Sequence, residues 1–258
     1  MRVGQSSPAF CHSPIADVAA QLDKDKFQVW EIFGEGRHFL PEHEEEFAAI
    51  LPSHTFEPQL HCPISDVNLG SLNTPQWEMA VKIQEETLAA AARLGIERVT
   101  IHPGNHTPLS RGHYGKVHEQ TRKALRRLDT VCLELGITPH LENMAFGWAF
   151  ETVSIDQLLD LTQGTEFSYC LDIGHAFISK RLDEFHKFAN RVGNVHIHDN
   201  QGGMDDHLTL DQGKVPWRES VKALVSGGYR GTFVIESRDY LSGRESQKLL
   251  QDELRRLA

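Results

Sequence analysis

Eight short runs rich in β-branched and aromatic residues recur along this chain, and almost every one delivers a histidine or a carboxylate near its end. The runs are "MRVGQ", "FQVWEIF", "PQLHCPI", "RVTIHP", "ITPHLEN", "SYCLDI", "NVHIHD" and "GTFVIES". Short runs of this composition, bounded by polar and turn-forming residues, predict strands. Between them lie stretches with apolar residues three and four apart, among them 75–95, 114–136 and 154–164. Gly95, Gly136 and Gly164 stand where a left-handed cap is wanted, and Ser154 stands where it can open the third stretch. Strand then helix, repeated without a linker or a break in composition, predicts an α/β chain folded as a single (β/α)8 TIM barrel over residues 1–258. That length is ordinary for the architecture. An open doubly wound sheet is the competing arrangement, but no G-x-G-x-x-G follows an early strand.

Composition removes several classes of function. Against 26 Lys and Arg stand 36 Asp and Glu, a formal net charge of −10, so bulk electrostatics disfavour nucleic acid as a partner. The N-terminus "MRVGQSSPAF" has no apolar run of secretory type and no window is long enough for a membrane span, which leads to the expectation of a cytoplasmic protein without a membrane partner. Cys11, Cys62, Cys132 and Cys170 are far apart with no C-x-x-C pair, so neither a disulfide framework nor a thiolate zinc site is expected. Nothing identifies an oligomer interface, although the helix faces of a barrel are compatible with a homo-oligomer.

Fifteen histidines are the compositional oddity. In a barrel the C-terminal ends of the strands form the active face. The strand ends, in chain order, offer Glu31, His61, His102, Glu142, Asp172, His196 and Glu236. Carboxylates crowded on one rim repel one another unless a cation or protons neutralise them, so a shared metal site explains the set better than seven separate polar ends. Side chains two apart share a face of a strand, which puts His196 beside His198 and His140 beside Glu142 on the inner side, while Val195 and Ile197 turn to the helices. "LDIGH" adds His175, with Gly174 allowing a tight turn, and "MDDH" returns Asp205 or Asp206 with His207. Mixed carboxylate and imidazole donors without cysteine suit zinc, manganese, iron or cobalt. Zinc or manganese, one to two ions per chain, is the expected cofactor.

With these residues in place the chain resembles the xylose isomerase-like TIM-barrel superfamily, which holds apurinic endonucleases (AP endonuclease family 2) as well as metal-dependent sugar isomerases and epimerases. The likeness is carried by "VTIHPG", "HLEN", "YCLDIGHAF", "NVHIHD", "MDDHLTLDQG" and "FVIES". For the epimerases it implies a metal set of Glu142, Asp172, His196 and Glu236. For the endonucleases it adds His102, His175, Asp205 and His207, and it places Ser71 of "NLGSLN" where a further histidine ligand belongs. The strongly acidic "GEGRHFLPEHEEEF" follows strand two, where the endonucleases carry a loop that opens the duplex.

The reading that follows is a divalent-metal-dependent isomerase or epimerase of a small sugar, sugar phosphate or related polyol. Proton transfer would pass through a metal-stabilised enediolate, with Glu142 and Glu236 as acid and base, placed opposite one another across the barrel. The alternative is multi-metal hydrolysis of a phosphodiester on DNA, as in the endonuclease IV-type members; a metal-binding protein without turnover is a third class. His61, His106, Glu31 and His198 are the candidate substrate contacts. Tyr114, Trp30, Phe146 and Trp148 are further candidates for the substrate's apolar side.

Overall fold

The computed structural model describes residues 1–257. Eight strands, β1 (Arg2–Ser6), β2 (Val29–Phe33), β3 (Glu57–His61), β4 (Arg98–Ile101), β5 (Thr138–Glu142), β6 (Ser168–Asp172), β7 (Val192–Ile197) and β8 (Thr232–Glu236), pair in parallel in sequence order. β1 also pairs with β8, from Arg2 against Thr232 to Ser6 against Glu236, and so closes the barrel. The outer layer is α1 (Ile15–Lys24), α2 (Leu40–Ile50), α3 (Thr74–Arg93), α4 (Tyr114–Leu135), α5 (Ile155–Leu161), α6 (Ile173–Ile178), α7 (Leu182–His186), α8 (Trp217–Ser226) and α9 (Tyr240–Leu257). The expected single (β/α)8 barrel is the fold observed. Gly136 ends α4 with a positive φ of 71°, the left-handed cap its position called for.

The period of two sorts each strand into two environments. Leu60, Val99, Ile101, Leu141, Leu171, Val195, Ile197, Phe233 and Ile235 belong to the buried apolar layer between strands and helices. The alternate residues face inward, and there the barrel departs from the usual filling of branched apolar side chains. Asn194 on β7 donates to the Glu31 carboxylate on β2 at 2.7 Å and to the Thr100 hydroxyl on β4 at 3.2 Å. Gln59 donates to Thr232 at 3.4 Å, and His140 is hydrogen-bonded to Ser168. These contacts, made across the barrel or to the neighbouring strand, offset part of the cost of a polar interior.

Three local expectations change. β2 runs on to Phe33, so Glu31 lies inside the barrel instead of at its rim. Gly174 does not make a turn but opens into α6, and its missing side chain has another reason: a Cβ there would meet the His198 ring at 2.2 Å. The acidic run after β2 is largely helical, with Glu42 in the first turn of α2 and Glu44 paired to Arg93 of α3. The helical part therefore covers the helix layer, while Glu35, in the loop after β2, accepts the Ile64 and Ser65 amides at 2.7 and 2.6 Å.

Trp30 is fully buried behind β2 against Phe47, Phe56 and His38, on the opposite face from Glu31. Trp30→Ala is expected to cost about 3–5 kcal/mol in urea unfolding. Metal stoichiometry at saturating ion should stay unchanged, because the substitution empties the outer layer alone.

Candidate metal centre

The C-terminal ends of the strands converge on Glu142. Its Oε2 faces His102 Nε2 at 3.0 Å and His61 Nε2 at 3.4 Å, and its Oε1 faces His196 Nδ1 at 3.3 Å and His175 Nδ1 at 3.4 Å. Around this hub the donor atoms fall into five overlapping groups, within each of which they lie no more than 4.8 Å apart. Cys170 joins Glu142 and His196 in one, His61 joins His196 and Glu236 in another, and the remaining three divide the site. Glu142, Asp172, His196 and Glu236 form the central one; His61, His102 and Glu142 form one flank; His175, His198, Asp205 and His207 form the other.

The donors are held in place by the backbone around them. His61 Nδ1 donates to the Cys62 carbonyl at 3.0 Å, His175 Nδ1 to the Asn143 carbonyl at 2.9 Å and His198 Nδ1 to the Asp199 carbonyl at 3.3 Å. A carbonyl can only accept, so each bond places the proton on Nδ1 and leaves the Nε2 lone pair facing the site, as metal-ligating histidines require. Asn143 also accepts from the Asp172 amide at 2.8 Å and donates to its carbonyl at 3.0 Å, tying β5 to β6. Asp172 caps α6 by accepting the His175 amide at 2.6 Å. The returning loop is closed at its base by reciprocal bonds between Asp199 and Leu208, and His207 at its end adopts a left-handed φ of 48°. Such backbone costs of order 1–3 kcal/mol and persists at sites where function demands the side chain.

The residues fit a divalent ion on two observations. Glu142 Oε2, Asp172 Oδ2, Asp205 Oδ1, His198 Nε2 and His207 Nδ1 are all buried without a hydrogen-bond partner. Yet His198 Nε2 lies only 3.3 Å from both Asp172 Oδ1 and Asp205 Oδ1. Donors this near that form no hydrogen bond are aimed past one another at common points, as ligand atoms are. In the ion-free protein, protons carry the compensating charge. Burial raises the Glu142 carboxyl, but His102 and His196 outweigh it and hold that carboxyl well below the usual range. Burial likewise lowers His175, and Asp172 and Asp205 reverse the effect to leave it well above an ordinary imidazole. His198, lowered by burial and raised by Asp172, ends at about 9.

Above the donors lies a cavity of about 210 Å3, walled on its other side by Phe33, Ile64, Met144, Phe146 and Phe150. No lysine or arginine lines it. Of the residues expected at the site, His61, His102, Glu142, His175, Asp205, His207 and Glu236 reach this cavity. Asp172, His196 and His198 sit in the donor groups just beneath. Asp205 is the member of the acidic pair that joins the cluster, whereas Asp206 turns toward Arg238.

Several expected substrate contacts are placed elsewhere. Glu31 lies below His196, with Oε1 at 2.7 Å from its Nε2, and does not reach the cavity. His198 belongs to a donor group, not to the cavity wall. His106 is bonded through its amide to Ala149, packs against Tyr114, and lies outside the cavity. Trp148 is exposed and leans on Phe146. Glu142 and Glu236 are not opposite one another: β5 and β8 are three strands apart, and an oxygen of each belongs to the same donor group. Ser71 is bound up in a turn with Asn68 and Asn73. His61, at the end of β3, is the residue that groups with His102 and Glu142.

A sequence model of the family described as xylose isomerase-like TIM barrel matches residues 17–258. Protein MJ1311 of Methanocaldococcus jannaschii is 26% identical over 98% of this chain and 89% of its own length. A probable endonuclease 4 of Mycobacterium tuberculosis is 28% identical over 84% of this chain and 88% of its own. The crystal structure of a D-tagatose 3-epimerase-like protein superposes with a TM-score of 0.92 at 24% identity, covering 100% of this chain and 98% of that one, a likeness of fold.

A divalent ion at His175, His198, Asp205 and His207 must displace the proton that His198 holds up to a pH of about 9. Zinc affinity at this group should therefore climb as pH rises toward that value, with about two protons released per ion, since His175 is also held well above an ordinary imidazole. Calorimetry in two buffers of different ionisation enthalpy reads the release, and affinity independent of pH would contradict the assignment.

Proposed function

The chain belongs to the xylose isomerase-like TIM-barrel family, and on that footing we propose that it is a divalent-metal-dependent isomerase or epimerase of a small sugar, sugar phosphate or related polyol. The observation that carries the reading is the pairing of two buried glutamates with one small cavity. Glu142 and Glu236 each turn Oε1 toward His196 Nδ1, at 3.3 Å in both cases, while their second oxygens diverge. Glu142 Oε2 faces His61 and His102, and Glu236 Oε2 lies 3.8 Å from His207 Nδ1.

Glu142, Asp172, His196 and Glu236 would hold the ion. When bound there, a divalent ion supplies the positive charge that polarises adjacent carbonyl and hydroxyl oxygens of a sugar and acidifies the C–H between them. The diverging oxygens of Glu142 and Glu236 are then the atoms that take a proton from carbon and return one. His61 and His102 keep the Glu142 carboxylate oriented and ready to accept. The aromatic wall of Phe33, Phe146 and Phe150 excludes water from the transferred proton and packs against the apolar face of a sugar ring. Because the wall carries no lysine or arginine, uncharged sugars and polyols suit it better than phosphorylated ones.

A phosphodiesterase of the endonuclease IV type is favoured by one specific observation, the complete His61, His102 and Glu142 group. The net charge of −10 and the absence of lysine or arginine from the cavity wall weigh against a duplex as the substrate.

Metal-loaded protein incubated with a panel of ketoses and polyol-derived ketones in D2O should introduce deuterium at the carbon beside the carbonyl. Glu236→Gln should retain the fold, weaken metal binding and reduce exchange by about 10²–10⁴-fold. Unimpaired exchange in that variant would remove Glu236 from the proposed chemistry. Nicking of an abasic-site duplex, lost in Glu142→Ala, with no exchange on any sugar would select the phosphodiesterase instead.

A further inference from the structure

Beneath the central donor group lies a carboxylate that the proposed chemistry does not use. Glu31 is 1% exposed in the middle of β2, with no lysine or arginine among its hydrogen-bond or ion-pair partners. A charge buried this deeply persists only where fixed partners hold it. Its contacts are specific: Oε2 accepts from Asn194 Nδ2 at 2.7 Å, and Oε1 lies 2.7 Å from His196 Nε2 as a close ion-pair contact outside hydrogen-bond alignment, while Asn194 Nδ2 also lies 3.4 Å from that same Nε2. Asn194 is held in turn by the Thr100 hydroxyl at 3.2 Å. The other ring nitrogen of His196, Nδ1, is the one that faces Glu142 and Glu236.

We propose that Glu31 is a positioning residue for the metal, which accepts the His196 Nε2–H and thereby fixes His196 as an Nδ1 ligand of heightened donor strength. The proposal rests on the metal-dependent reading of the site and is indifferent to whether the substrate is a sugar or a phosphodiester. His196 thus differs from His61, His175 and His198, whose Nδ1 protons go to neutral backbone carbonyls. A carboxylate acceptor draws the proton harder than a carbonyl does, so the ring it holds presents more electron density at its other nitrogen. Asn194 keeps Glu31 from turning away, and Thr100 keeps Asn194 from turning away. Three strands, β2, β4 and β7, thereby aim a single lone pair.

The test uses the full chain with Co2+ as a visible probe and Zn2+ affinity by chelator competition. Glu31→Gln preserves shape and removes the charge. It is expected to weaken ion binding about 10–100-fold and to shift the Co2+ absorption bands at full occupancy. Asn194→Ala, which leaves Glu31 in place but unsupported, should shift the same bands in the same direction with a smaller loss of affinity, and it serves also if Glu31→Gln fails to fold. Gln59→Leu is the control: it breaks the contact with Thr232 inside the same barrel without touching His196, so its Co2+ spectrum should match the parent's. A parent protein that binds no ion would overturn the metal reading itself. A parent that binds while both variants keep its affinity and spectrum, or a Gln59→Leu control that shifts the bands equally, would overturn the role of Glu31 alone.

Discussion

The constraint on which the rest of this structure depends is electrostatic: Glu31, Glu142, Asp172 and Glu236 are buried together at one end of a barrel, with no lysine or arginine lining the cavity above them. Isolated, such charges would cost far more than a domain's net stability. Five imidazoles, those of His61, His102, His175, His196 and His198, are interleaved among them. Burial lowers each ring, but the neighbouring carboxylates hold His61, His175, His196 and His198 above an ordinary imidazole, so these four carry compensating protons, whereas burial keeps His102 below it. A bound ion would take the place of those protons. The same side chains therefore serve as counter-ions in one state and as donors in the other.

The barrel suits this task because neighbouring strands fix their end residues rigidly, and because it is closed, with no free edge to fray. Its interior has given up the usual apolar filling for a polar lattice in which Asn194, Thr100, Glu31, Gln59 and Thr232 satisfy one another across strands. That lattice carries order upward from the middle of the barrel to the donor groups. The apolar layer between strands and helices is left to supply the cohesion, so stability and chemistry occupy opposite faces of the same strands.

Much of this was legible in the sequence. The eight runs and their helical connectors specified the barrel, and the period of two put His196 and His198 on the inner face. What the sequence withheld was depth and trajectory. The run "FQVWEIF" carried the strand two residues past Glu31, but the pattern did not say how far into the barrel that leaves the carboxylate, which meets the underside of His196 instead of a substrate. Loop geometry was withheld too: the grouping of His61 with His102 and Glu142 was not foreseen, and His198 joined a donor group because Gly174 leaves room for its ring. "EHEEEF" reads as the start of a helix, where its negative charge suits the dipole, and it lies in α2 with Glu44 paired to Arg93.

The central claim is that the buried ring of carboxylates and imidazoles is a metal centre. Its most direct test is anomalous scattering at the absorption edge of zinc or manganese, from crystals grown with that ion. The account predicts a peak enclosed by Glu142, Asp172, His196 and Glu236, with the Nδ1 of His196 facing it. Crystals that hold no anomalous peak at that position under saturating ion, with the four side chains hydrogen-bonded to one another or to water, would contradict it.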